Sequence, residues 1–558
     1  MSPTSDPHAE FLGAAVWHSS LDDANAILAA NPGIATQSMY AAAVLGDDTA
    51  IRRFLAQDPS SATAKGGPHG WDALTYLCFS KYLRLEPART NGFVDGATAL
   101  LDAGADPNTG FFSPEHQPNA EWETALYAAA GVAHHPELTK LLLDRGANPN
   151  DVEVGYHAPE TLDNRALKVL VESGKLTQDT LRMMLSRKMN WHDKPGVALL
   201  LDHGADSNYP GHRGSRPLQD ALAHGCPLDY FELLLDHRAD PTLADDAGRS
   251  ILAGAARMAR VDVLELFERR GYSGPLEGDD AFLAACARAD EPQTRRLVAA
   301  DPEMLGRVQS REPTLLIEFA GADNAAAVGL LLDLGFDIGA ARTRPNWMRG
   351  LTALHEAVGH CRLGTVRLLI ARGAPLDARH EKSGRTPADV ALLSITEQSE
   401  WTPHASSVPI AHALLDAGAP FDEPSMTLAA AICLERSGDV ERLRRTAGRD
   451  DKQIALAAAA FNGHVAGLRR VIAMGVELDA MRPGLEHAAP LHNAVSSGQL
   501  EAVRTLVEAG ARLDTRDVAY HLTPLDWATW YADQASRGGE ARDYAEIEAY
   551  LRGRPRVS

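Results

Sequence analysis

The sequence predicts an all-α solenoid, an array of repeated helix-turn-helix units. Three observations predict it. The phrase LLLDRGANPN, Leu141 to Asn150, returns as LLDAGADPN ending at Asn108, LLLDHGADSN ending at Asn208 and LLDAGAPFD ending at Asp422. A second phrase, seen as TALHEAV from Thr352 and APLHNAV from Ala489, stands about 20 residues before the first, a spacing that fits inside one repeat. A glycine also follows the leucine run again and again, at Gly104, Gly146, Gly204, Gly335, Gly373, Gly418, Gly475 and Gly510.

Each part of the unit has a physical reason. The unit opens on a turn rich in Asp, Pro and Asn, whose side chains and fixed φ favour turns. Threonine at the N-cap and proline in the first turn then start a short helix, as in TPLDWAT from Thr523 and RPLQDALAHG from Arg216. Its Leu and Ala residues fall on one face. A short break follows, such as GHCRLG at Gly359 or NGHVAG at Asn462. The longer second helix carries the leucine run as its buried stripe. Glycine ends that helix because it enters the left-handed region without steric cost.

Bulk properties narrow the function classes. The chain has 558 residues, 45% of them hydrophobic and 23% charged, which is the balance of a folded protein. A net charge of −21 repels phosphate backbones, so nucleic acid is not the expected partner. Cys78, Cys226, Cys286, Cys361 and Cys433 are far apart and form no CxxC pair. That argues against a disulfide framework or a thiolate zinc site and for a reducing, cytoplasmic location. No long apolar run or secretory leader is visible, so membrane insertion is not expected.

The pieces TALHEAVGHCRLGTVRLLIARGAPLD (Thr352 to Asp377) and APLHNAVSSGQLEAVRTLVEAGARLD (Ala489 to Asp514) resemble the ankyrin-repeat family. They follow its pattern of TPLHxA, then GH, then LLxxGAxxN, with a period of about 33 residues. The resemblance covers essentially the whole chain and implies one array over 1–558, with about 16 units and with hairpin loops, or fingers, projecting between them. Within it, 1–66 holds degenerate units and 67–278 holds units with extended fingers. Units with an insertion near 394–409 occupy 279–515, and 516–558 forms a C-terminal cap. The resemblance also gives His355 and His360 structural roles, the first bonding its own threonine region and the second fixing the loop. That reading is preferred to a zinc helix, whose two histidines stand four apart rather than five. His464 and His492 are read in the same way, and His134-His135 as a loop with a local cap. No metal and no cofactor is expected.

Candidate binding residues stand where large side chains replace the small polar residues expected at finger tips. They are His69 and Trp71, Trp122, Tyr156 and His157, His212 and Arg213, Trp347 and Arg349, His487, and Tyr520 and His521; Trp191 and His192 lie in an inter-helix loop. Tip side chains have no local core to enter, and Trp, Tyr and Arg dominate binding energy at interfaces. The stretch between His69 and Arg213 is the richest. The leading reading is a non-catalytic module that holds a protein or peptide in a concave groove. The alternative is an enzyme or small-molecule binder on the same scaffold, with His157, Glu160, His192 and Asp193 as the acid–base candidates.

Overall fold

The computed structural model describes residues 6–17, 21–113, 121–272, 274, 276–322, 324–396, 407–482, 488–517, 522–536 and 543–554. Within them the chain is built almost entirely from short helices, with one two-stranded hairpin, β1 (Gly110–Phe112) and β2 (Trp122–Thr124). Contacts divide it into two compact units, 1–251 and 252–558.

In the first unit the helices form two rows. One row comprises the short opening helices. Met39–Leu45 packs on Ala73–Cys78, and further along Val152–His157 packs on Gln178–Asn190, which packs on Pro217–Ala223. The other row comprises the leucine-bearing helices: Asp48–Gln57, Thr90–Asp102, Pro136–Asp144, Arg165–Glu172 and Lys194–Asp202, each on the next. Small side chains let the opening helices approach closely: Ala41, Ala42 and Ala43, and Ala128, Ala129 and Ala130, are all fully buried. The second unit repeats the arrangement. Leu315–Gly321 packs on Ala353–Gly359 and that on Pro387–Ser394, while Ala325–Asp333, Leu363–Ala371 and Val408–Asp416 stack beside them.

The helix signals read from the sequence are realised. Thr352 and Thr386 cap their helices with reciprocal side-chain and backbone bonds, and Pro387, Pro490 and Pro217 occupy first helical positions. All eight glycines of the recurring phrase have positive φ, between 75° and 103°. His355 Nδ1 meets the Thr352 hydroxyl at 3.0 Å, and its Nε2 lies 3.2 Å from the Arg385 carbonyl in the following finger. His135 Nδ1 accepts from the Leu138 N–H at 3.2 Å and caps the next helix.

The asparagine of the turn has a role beyond turn formation. Asn108 Oδ1 accepts from the Asn148 N–H at 2.8 Å, and its amide donates to the Gly146 carbonyl at 3.3 Å. Asn150 makes the same pair of bonds to Thr177 and Lys175, Gln178 to Asp206 and Gly204, and Asn208 to Asp240 and Arg238. Each turn thus clamps the backbone of the next, which fixes the spacing at which the fingers leave the first unit.

Candidate functional site

Two neighbouring fingers of the first unit frame a groove. The finger at 66–71 is short: the Gly66 N–H donates to the Trp71 carbonyl at 2.9 Å, and Gly70 closes back on Gly67 at 3.2 Å. The next finger is the β1–β2 hairpin. Its strands pair Gly110 with Thr124, Phe111 with Glu123 and Phe112 with Trp122. Glycine is required at 110, since a Cβ there would lie 2.1 Å from the Glu123 carbonyl oxygen. The following repeat has no finger. Asp151 accepts from the Glu153 and Val154 N–H groups and starts a helix directly after the turn.

Between the short finger and the hairpin lies an open groove of about 430 Å³, lined by Lys65, His69, Trp71, Phe111, Phe112 and Trp122 among others. Its floor is rigid. Trp71 is only 6% exposed and stacks on Phe111 with centroids 4.2 Å apart. The ring of His69 also stacks on Trp71, at 4.5 Å. The Tyr76 hydroxyl ties the short finger down, donating to the Gly66 carbonyl and accepting from the His69 N–H, both at 3.2 Å. Partial burial pushes the His69 imidazole below its ordinary range, so it is neutral at pH 7. The Phe112–Trp122 face of the hairpin, opposite Phe111 in the strand register, is different in character. Phe112 and Trp122 meet edge to face at 4.8 Å yet stay 65% and 38% exposed. Two large adjacent apolar rings in water mark an interaction surface more often than a packing defect.

The structure thus brings His69, Trp71 and Trp122 together, and it corrects the reading of Trp71. That residue is not an exposed tip side chain, because neighbouring fingers stack and turn it into the floor between them. Phe111 and Phe112 escaped the sequence analysis. The signal was present, since two aromatic residues in a loop have no helix stripe to join.

Tyr156 and His157 also sit differently from expectation. They lie on the helix Val152–His157, not on a finger. His157 is clamped: Nδ1 lies 2.6 Å from Glu160 Oε2 and Nε2 lies 3.2 Å from Glu153 Oε2. Burial alone would lower its pKa, but the hydrogen bonds and charges of the two glutamates outweigh that and raise it to about 9. His157 is therefore a cation at neutral pH and has no lone pair with which to abstract a proton. Arg187 pairs with Glu160 and lies 3.9 Å from the centroid of the exposed Tyr156 ring.

The other two acid–base candidates serve the scaffold. Asp193 is 3% exposed and accepts from Lys188 Nζ at 2.7 Å, from the Asn164 amide at 2.8 Å and from the Gly196 N–H at 3.0 Å, capping the helix Lys194–Asp202. Lys188 is fully buried and also donates to the Thr161 carbonyl. His192 occupies a left-handed turn position at φ 50°, with Nε2 3.0 Å from the His224 carbonyl oxygen. Trp191 beside it is half-buried. His212 and Arg213 are exposed in a short turn, where the Arg213 carbonyl accepts from the Asp246 N–H at 3.1 Å.

In the second unit the finger near 342–351 carries Trp347, 65% exposed, and Arg349, which pairs with Glu381 at 3.1 Å. His380 holds this finger through the Trp347 carbonyl at 2.8 Å. His487, Tyr520 and His521 lie outside the described residues. Among the described residues no cluster of three or more His, Cys, Asp or Glu side chains is arranged to hold a metal ion.

The ankyrin repeat family model matches residues 121–153, 349–381 and 487–518. A human protein, ankyrin repeat and SOCS box protein 16, is 33% identical over 198 residues, covering 32% of this chain and 40% of its own length. The chain thus spans well under half the length of that curated relative. A crystal structure of the human ASB11 ankyrin repeat domain matches over 43% of this chain and 98% of its own, with 20% identity and a TM-score of 0.22.

Proposed function

We propose that this chain, which carries ankyrin repeats, is a non-catalytic protein-interaction module that docks its partner at the fingers of the first unit. The carrying observation is the exposed Phe112–Trp122 pair on the hairpin, next to the packed Trp71–Phe111 stack. Covering the two rings transfers apolar surface out of water, worth roughly 1.5–3 kcal/mol for a fully buried Phe-sized side chain. The floor is already ordered by the stacking of His69, Trp71 and Phe111, so little entropy is lost when a partner lands. The charged state of His157 and the scaffold role of Asp193 favour this reading over an acid–base enzyme. Among the described residues, no helix is long and apolar enough to cross a membrane.

The test is affinity capture with the full chain and with a Phe112→Ala/Trp122→Ala double variant. Phe112 is 65% exposed but Trp122 only 38%, so the variant's unfolding midpoint is measured alongside capture to separate lost packing from lost contact. A partner held by the wild type and lost by the variant supports the reading. A partner retained equally by both removes the groove from it.

A further inference from the structure

We infer that Trp17 is the latch that holds the β1–β2 hairpin in its docking position, so that the N-terminal repeat governs the docking surface. This rests on the hairpin being the docking element and goes further by naming the residue that positions it. Three observations carry it. The first is reach. Phe111 points to the hairpin face opposite Phe112 and Trp122. Its ring centroid lies 4.2 Å from Trp71, 5.2 Å from Phe79 and 5.5 Å from Trp17. Trp17 also stacks on Phe79, with centroids 4.9 Å and planes 11° apart. Trp71 and Phe79 flank the helix Ala73–Cys78, in the repeat just before the hairpin. Trp17 belongs to the first repeat and follows the helix Pro7–Ala14. Units of a repeat array touch only their neighbours. The Trp17–Phe111 contact therefore ties the hairpin to a repeat that it would otherwise not meet.

The second is mounting. Val16 and Ser80 form an antiparallel bridge, in which the Lys81 N–H donates to the Ala15 carbonyl at 2.9 Å and the Trp17 N–H to the Phe79 carbonyl at 2.8 Å. The Lys81 ammonium also donates to the Ala14 carbonyl at 2.6 Å. Phe11, Leu12 and Ala15, which lead into this strap, are fully buried. The strap is thus fixed, and it delivers the indole to one place. The third is poise. Trp17 sits at φ 72°, a left-handed conformation that is an outlier for so bulky a residue. Such strain persists only where the surroundings impose it, and it gathers at clamps and switches. Trp17 is half-buried, whereas the Phe79 ring it covers is 1% exposed. Release of the indole frees the backbone to leave that conformation. Phe111 then loses this contact while keeping those to Trp71 and Phe79.

The experiment follows amide hydrogen exchange by mass spectrometry in the full chain, as wild type, Trp17→Leu and Trp17→Phe, across residues 110–113 and 122–124. Leucine keeps an apolar side chain without a ring, and phenylalanine restores a ring. Trp17→Leu should speed hairpin exchange by about two- to tenfold, the scale of one edge-to-face aromatic pair. It should leave the helix Gln178–Asn190 unchanged. Trp17→Phe should stay near the wild type. Phe111→Leu removes the other half of the contact, and combining it with Trp17→Leu should speed exchange by less than the product of the two single effects. Unchanged hairpin exchange in Trp17→Leu, faster exchange throughout the first unit, no rescue by Trp17→Phe, or fully multiplicative effects overturn the inference. Where the wild type captures a partner that Phe112→Ala/Trp122→Ala releases, Trp17→Leu should capture less of it, and equal capture also overturns the inference. Exchange needs no partner, so the two readings fail separately. Exchange as expected with no partner released by Phe112→Ala/Trp122→Ala leaves the latch and removes the docking site. Unchanged exchange with the partner released leaves the docking site and removes the latch.

Discussion

His157 offers a quantitative test of whether the end of the helix Val152–His157 is a charged clamp or a catalytic base. With its pKa raised from 6.5 to about 9, the folded chain holds a proton there that the unfolded chain has already released. Between these two pH values the folded state binds more protons than the unfolded state, so stability falls as pH rises. The clamp's contribution is complete below pH 6.5, declines from there, and is gone above about 9. At 1.36 kcal/mol per pH unit the full interval corresponds to about 3 kcal/mol. The side chain is 30% exposed, and water screening reduces this to roughly 1–2 kcal/mol. The perturbation is His157→Gln, and the assay is urea unfolding of wild type and variant at pH 6 and pH 10. The difference between them should be about 1–2 kcal/mol larger at pH 6. An NMR titration of the His157 ring should place its midpoint well above 7. A midpoint at or below 6.5, or a stability difference independent of pH, refutes the reasoning and reopens His157 as a base.

Further outcomes follow from the packing. Asp193→Ala leaves the buried Lys188 ammonium without its carboxylate and should cost about 3–5 kcal/mol in urea unfolding, with Lys188→Met recovering part of it in the double variant. Asn108→Ala removes two bonds between successive turns and should cost about 1–2 kcal/mol, seen as faster amide exchange at Asn148. Trp71→Ala, at a buried floor position, should cost about 3–5 kcal/mol. Trp347→Ala, at an exposed tip, should stay within about 0.5 kcal/mol of wild type in thermal unfolding.

The helical periods, caps and glycine stops are local signals, and each was legible in the sequence. Gly146 at φ 100° and Thr352 as an N-cap follow from the chemistry of a few adjacent residues. The neighbourhood of the groove was legible too, because His69, Trp71 and Trp122 are large where turns favour small residues. What the sequence hid depends on the next repeat. Whether Trp71 is a tip or a floor is decided by Phe111, forty residues later, stacking on it. Tyr156 and His157 were placed on a finger because the turn phrase usually leads into one, whereas Asp151 caps a helix at once. Lys188 gave no sign of burial within a polar helix, since its partner Asp193 belongs to the following loop.

The central claim is that the first unit docks a protein through the Phe112–Trp122 side of its fingers. Photo-crosslinking tests it most directly. The full chain would carry benzoylphenylalanine in place of Phe112, or in place of Lys140, an exposed position on a leucine-bearing helix. After irradiation in lysate, the claim requires a defined protein adduct from position 112 that is lost on Trp122→Ala and absent from position 140. The same adduct pattern from both positions, or an adduct from 140 alone, contradicts it.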